Sequence, residues 1–145
     1  MSTAAIPRSV SERRTGYAPL RIILGINLAM HGITRLWAGA SIFAQHLVQQ
    51  FTHSPLPEIL IRSFGYALPW LEAGIGILIL LGLATRPALI AGASLMVVLT
   101  FGSSFLQDWN VMGLQLIYAV VYFLLLIFIP NNHWSVDTLL TQRRS

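Results

Sequence analysis

The feature that most constrains this chain is a set of polar residues inside stretches that are otherwise apolar. Four segments, about Ala18–Trp37, Phe64–Ala84, Pro87–Leu106 and Val111–Ile129, are almost wholly hydrophobic. Each is roughly 20 residues, the length that carries a helix across the hydrocarbon core of a bilayer. Yet the first holds Asn27, His31 and Arg35, and the second holds Glu72. A charge at membrane depth costs at least ~2.5–3.5 kcal/mol, so such residues face the interior of a helix bundle and serve a purpose there. The pattern predicts an all-α integral membrane protein, a four-helix bundle around a buried polar site.

Composition agrees. Of 145 residues, 55% are hydrophobic and 10% charged, against about 25% charged in a soluble domain. One membrane domain over residues 17–140 accounts for the length, with a flexible tail at 1–16 and a short one at 141–145. No small-residue cleavage site follows a short apolar core near the N-terminus, which favours a retained first span over a removable signal. The chain has no cysteine, which excludes disulfides, thiolate nucleophiles and cysteine-ligated clusters within it. All nine basic residues are arginine. They are scattered at segment ends and form no basic face, so nucleic acid is not the expected partner.

Arginines near span ends mark the cytoplasmic side. Arg8, Arg13, Arg14 and Arg21 attend the first span, Arg86 lies between the second and third, and Arg143 and Arg144 follow the fourth. Only Arg35 and Arg62 fall on the other side, so both termini are expected to be cytoplasmic. The outer connection between the first two spans is long. Within it Ile42, Phe43, Leu47, Val48 and Phe51 recur at helical spacing, opposed by Gln45, Gln49 and Gln50, which predicts an interfacial helix over about 40–54. Ser54-Pro55-Leu56-Pro57 ends it, and Pro57 suits the start of the next helix. Pro69 would kink that helix one turn before Glu72. Trp37, Trp70, Trp109 and Trp134 are expected near span ends as an aromatic belt. Ala88 and Gly92, four apart, offer a face for close helix approach.

Asn27, His31 and Arg35 are four apart and stack on one helical face. At 1.5 Å rise per residue, His31 and Glu72 come to nearly the same depth in the outer half. Thr100, Ser103 and Ser104 from the third span and Gln115 and Tyr118 from the fourth reach that level, with Tyr122 one turn deeper. Glu72 reads either as a structural tie to Arg35, His31 or Arg62, or as a proton-handling carboxylate. His31 reads as a satisfied core histidine, a hydrogen-bond donor to a quinone or substrate, or a proton carrier. Arg35 reads as a snorkelling interface residue or a clamp for an anionic group. Gln115 and Tyr118 read as helix–helix hydrogen-bonding residues or ligands. Asp108 and Asp137 are expected to cap helices or to sit in solvent. No metal, haem or nucleotide is expected, since His46, His53 and His133 lack ligand spacing and only His31 lies in a span.

Several motifs resemble the DoxX-like family of small membrane proteins. They are the run Arg21–Arg35 with Gly25 and Met30-His31-Gly32; Leu68-Pro69-Trp70-Leu71-Glu72 followed by Gly74, Gly76 and Leu81–Arg86; Asp108-Trp109 through Gly113–Tyr118; and Trp134-Ser135-Val136-Asp137. The resemblance covers about Arg21–Leu140, and Arg35 stands where that family commonly has lysine. It implies a four-helix bundle in the bacterial inner membrane, with His31 and Glu72 as site residues. Some members are named as the small subunit of a thiosulfate:quinone oxidoreductase.

Three functions follow from these readings. In the first, a quinone-linked oxidoreductase subunit, His31 and Glu72 are the reactive pair. His31 bonds a quinone carbonyl, Glu72 exchanges its proton, and Asn27, Arg35, Gln115 and Tyr118 complete the cofactor site. Electrons then come from a partner subunit or directly from a substrate. The second is a non-enzymatic accessory or scaffold subunit, in a larger complex or a homo-oligomer, whose polar residues fix helix register. The third is a small proton-coupled transporter component, against which stands the lack of an inverted repeat.

Overall fold

The computed structural model describes residues 8–143. These form α1 (Arg8–Ala38), α2 (Ala40–Gln50), α3 (Glu58–Leu81), α4 (Thr85–Phe105), α5 (Trp109–Ile127) and α6 (Val136–Gln142), with a 3-10 turn at Ile129–Asn131. No strand occurs among the described residues. Three helices, α3, α4 and α5, are long and apolar enough to cross a membrane. α1, expected as a fourth span, is not among them, because Arg21, Asn27, His31 and Arg35 dilute its hydropathy.

Two boundaries differ from the sequence reading. The expected tail over 1–16 enters α1 at Arg8. No glycine or proline interrupts Arg8–Thr15, and Tyr17 and Ala18 are already buried, so the helix starts well before the apolar run. Residues 1–7 and 144–145 lie outside the described residues. The break between the second and third spans, expected around Arg86, falls earlier, at Gly82–Ala84. Gly82 adopts φ 66, and the amides of Gly82 and Leu83 donate to Ile79 and Leu78 at 3.1 and 3.0 Å. This paired pattern closes a helix where a left-handed residue is available. Pro87 then lies in the first turn of α4, where a missing N–H is tolerated.

α1 and α3 run antiparallel with their backbones nearly touching. A Cβ added at Gly25 would strike Leu80, one at Gly32 would strike Pro69 and Ala73, and one at Gly76 would strike Ala29. Small residues thus stand where the two helices cross. The hydroxyl end of the Tyr122 ring on α5 packs against Gly92 on α4, so one of the small residues expected to admit a neighbour does so. Leu24, Leu28, Ile79, Leu89, Tyr122 and Leu125 form a close-packed core toward the α3–α4 turn.

Arg21, read from sequence as a topology marker, is also a staple. Its buried guanidinium donates to the carbonyls of Leu80 and Trp134, each at 2.7 Å, and to that of Ile79. This caps the C-terminal end of α3 and holds the chain leading into α6. Asp137 accepts from the amides of Ala84 and Thr85 at 2.7 and 2.8 Å and from the Thr85 hydroxyl at 2.7 Å. It therefore caps α4, while Ser135 caps α6 and Asp108 caps α5.

α2 is a helix as expected, and it packs on α3 through Ala44 against Gly65. Trp37, Trp109 and Trp134 lie at or beside helix ends. Trp70 does not: α3 begins at Glu58, so Trp70 falls near its middle, exposed on the outer face.

Candidate functional site

Away from the core, toward α2, the helices part around a cavity of about 640 Å³. Its walls are mainly apolar: Leu24 and Leu28 from α1, Phe64 and Leu68 from α3, Met96 and Leu99 from α4. α2 roofs it with Phe43 and Leu47, and Phe51, just past its end, completes the roof. His46 and Gln50 share the face of α2 that carries Phe43 and Leu47 and also line the cavity, whereas Ile42 is exposed, so the apolar stripe of α2 does not by itself define its inner side.

Into this cavity α1 presents Asn27, His31 and Arg35 from successive turns of one face, and α3 presents Glu72. Arg35 Nη1 bridges both oxygens of Glu72, at 2.6 Å to Oε1. The Glu72 side chain is 4% exposed and that of Arg35 is 29% exposed. The guanidinium also lies 4.5 Å from the centre of the Phe43 ring, which is within cation–π range. Arg35 thereby joins α1, α2 and α3. Arg62, another candidate partner for Glu72, pairs instead with Glu58 one turn earlier on α3. His31 lines the cavity beside this pair.

α5 adds Gln115, Tyr118 and Tyr122. The Tyr118 hydroxyl donates to Asn27 Oδ1 at 3.0 Å, and Gln115 Nε2 donates to Ser103 Oγ on α4 at 3.0 Å. The cavity thus gathers every site residue anticipated from sequence: Asn27, His31, Arg35, Glu72, Gln115 and Tyr118. Of the accompanying hydroxyls, Ser103 lines it, Thr100 does not, and Ser104 donates to the Phe101 carbonyl of its own helix. The contribution of α2 was missed. Its apolar period signals a helix but carries no information about which helix it will cover.

The Tyr122 hydroxyl has no hydrogen-bond partner among the described residues, nor has Gln115 Oε1. Both atoms are shielded, Tyr122 by its contact with Gly92. No cluster of three or more metal-ligating side chains occurs among the described residues.

These features define a polytopic membrane protein with a mainly apolar cavity that holds a few polar side chains among its helices. Residues 13–114 match the family model of the methylamine utilisation protein MauE, and the chain belongs to that family, a family of membrane proteins. No curated protein and no solved structure matches it. The expected DoxX-like membership is corrected by this match. The short motifs that carried the resemblance have a local explanation: Gly25, Gly32 and Gly76 allow α1 and α3 to meet, and Gly82 makes the turn. Any tightly crossed antiparallel pair imposes similar glycines.

Proposed function

We propose that this MauE-family protein is a membrane accessory subunit for amine utilisation that binds a quinone-class ligand in its cavity. In this reading α1 is a fourth span and the four long helices form one bundle across the bacterial inner membrane. Both termini are cytoplasmic, with the membrane domain over 17–140. The arginine distribution supports that orientation.

One observation carries the ligand: a cavity of about 640 Å³, mainly apolar-walled, into which Asn27, His31, Arg35, Glu72, Gln115 and Tyr118 place polar groups. A lipid-soluble ring with carbonyl oxygens matches such a lining, since pockets of this kind orient an apolar ligand by a few placed polar groups. His31, exposed to the cavity, donates to a quinone carbonyl. Glu72 is the proton-exchanging group, and Arg35 holds it in place. Asn27, Gln115 and Tyr118 set the width of the site by tying α1 to α5 and α5 to α4. A partner subunit supplies or receives the electrons.

The test is native mass spectrometry of protein drawn gently from quinone-containing membranes. Bound quinone in the wild type, lost in His31→Ala and Glu72→Gln variants that still fold, is the expected result. A wild type free of quinone overturns the ligand assignment. It then leaves a second reading, a ligand-free scaffold, favoured by the Arg35–Glu72 and Asn27–Tyr118 contacts that join α1, α3 and α5.

A further inference from the structure

The cavity has a side as well as a roof. At its outer end α2 closes it, and buried Phe51 lies against Gly102 of α4. Next to that contact Phe101 and Phe105 stack edge to face with centroids 5.1 Å apart, so aromatic rings fill this edge. Between α1 and α5 the situation differs. They touch less than any other pair of adjacent long helices, and the Tyr118–Asn27 hydrogen bond links them. One turn outward from that bond come His31 on α1 and Leu114 on α5. Both line the cavity and both are exposed.

We propose that this gap is a lateral doorway to the lipid, through which the apolar tail of the bound ligand leaves the cavity. The inference rests on the quinone-class reading above and adds a requirement: the headgroup must carry an alkyl or isoprenoid tail. The paired Arg35 and Glu72 stand toward α3, while His31 and Leu114 border the gap itself. A ligand from the bilayer enters head first and never crosses water. The Asn27–Tyr118 bond forms the sill, fixing how deep the opening runs. A cavity of about 640 Å³ lies within the ~300–1,000 Å³ that encloses one small molecule, so a long tail has to emerge.

The experiment uses the unmodified full chain in lipid nanodiscs. The probe is a benzoquinone bearing a diazirine on its alkyl tail, photolysed with and without excess decylubiquinone, and the cross-linked residues are mapped by mass spectrometry. Labels that decylubiquinone removes are expected around Met30 on α1 and Leu114 on α5. Competed labels on His46 and Gln50 of α2, or on Leu60 and Phe101 at the α3–α4 edge, overturn the doorway. If quinone is retained in native mass spectrometry while labels fall elsewhere, the doorway alone fails. If no quinone is retained and no label is competed, the ligand reading fails and the doorway with it.

Discussion

Arg35 and Glu72 are unequally buried, and their substitutions should differ for that reason. Replacing Arg35 with Met strands a carboxylate that is 4% exposed. Stranding a buried charge costs up to about 3–5 kcal/mol. Replacing Glu72 with Gln leaves a guanidinium that is less deeply buried and keeps its place over the Phe43 ring, so its loss should be the smaller of the two. Thermal unfolding in nanodiscs should rank Arg35→Met well below Glu72→Gln; the opposite order would mean that the cation is the trapped partner. Tyr122→Phe should behave differently again. It removes a shielded hydroxyl without a partner among the described residues and keeps the ring against Gly92. Unfolding should therefore show no loss, or a gain of up to about 1 kcal/mol. Tyr118→Phe, which breaks a formed hydrogen bond, should cost about 1 kcal/mol by the same measurement. At this scale much was legible in the sequence. Four-residue spacing placed Asn27, His31 and Arg35 on one face, and helical rise brought Glu72 to their depth. Which cation would meet Glu72 was not legible, because Arg35, His31 and Arg62 all fell within reach until helix rotation was known.

Helix pairing makes its own demands. Gly32 and Gly74 are both glycines in long helices, yet a methyl at Gly32 would strike the backbone of α3 and one at Gly74 would meet nothing within 4 Å. Gly32→Ala should destabilise by about 1–3 kcal/mol through overpacking. Gly74→Ala should stabilise by up to about 1 kcal/mol, the gain for alanine over glycine in a helix. Equal effects on the unfolding temperature would refute the close α1–α3 crossing. The capping of α4 by Asp137 has a pH signature. Partial burial would raise the Asp137 carboxyl, but hydrogen bonds from Thr85 and Ala84 and the charge of Arg21 outweigh it and hold the group below its usual range. A lowered folded-state value gives stability that is present above the unfolded value of about 3.9 and is lost as pH falls through the folded one. Asp137→Ala should cost about 1–2 kcal/mol near neutrality. The gap between variant and wild type should close in unfolding measurements taken progressively below pH about 4. Helices and their types were readable from apolar runs. That Asp137 would cap a helix other than its own was not, because residues distant in sequence meet there only after α3 and α4 fold back.

The whole molecule divides into a solid end and a hollow end. The core near the α3–α4 turn packs Ile79, Leu89 and Leu125 with no exposure, whereas the other half encloses the cavity. Hydrogen exchange should therefore be slower in α3 and α4 around Ile79 and Leu89 than around Phe64 and Leu99. A bound ligand should protect the hollow end preferentially. Decylubiquinone at 100 times its dissociation constant should add about 2.7 kcal/mol of stability, read as a raised unfolding temperature; no rise would argue against binding. The polar layer was foreseeable from depth, but the emptiness around it was not, since apolar runs specify that residues are buried without specifying how well they fill space. Family membership was obscured in a similar way, because glycines required by packing looked like a signature. The solid end also sets an order of events in biogenesis. The first amides of α4 receive their cap from a residue 52 positions downstream, and Arg21 waits for the carbonyl of Trp134. During synthesis, the hairpin of α3 and α4 is therefore made long before its lock arrives. A nascent chain that has not reached Asp137 would hold every long helix yet leave the first amides of α4 uncapped, so the hairpin would stay open to quality-control proteases until that residue docks.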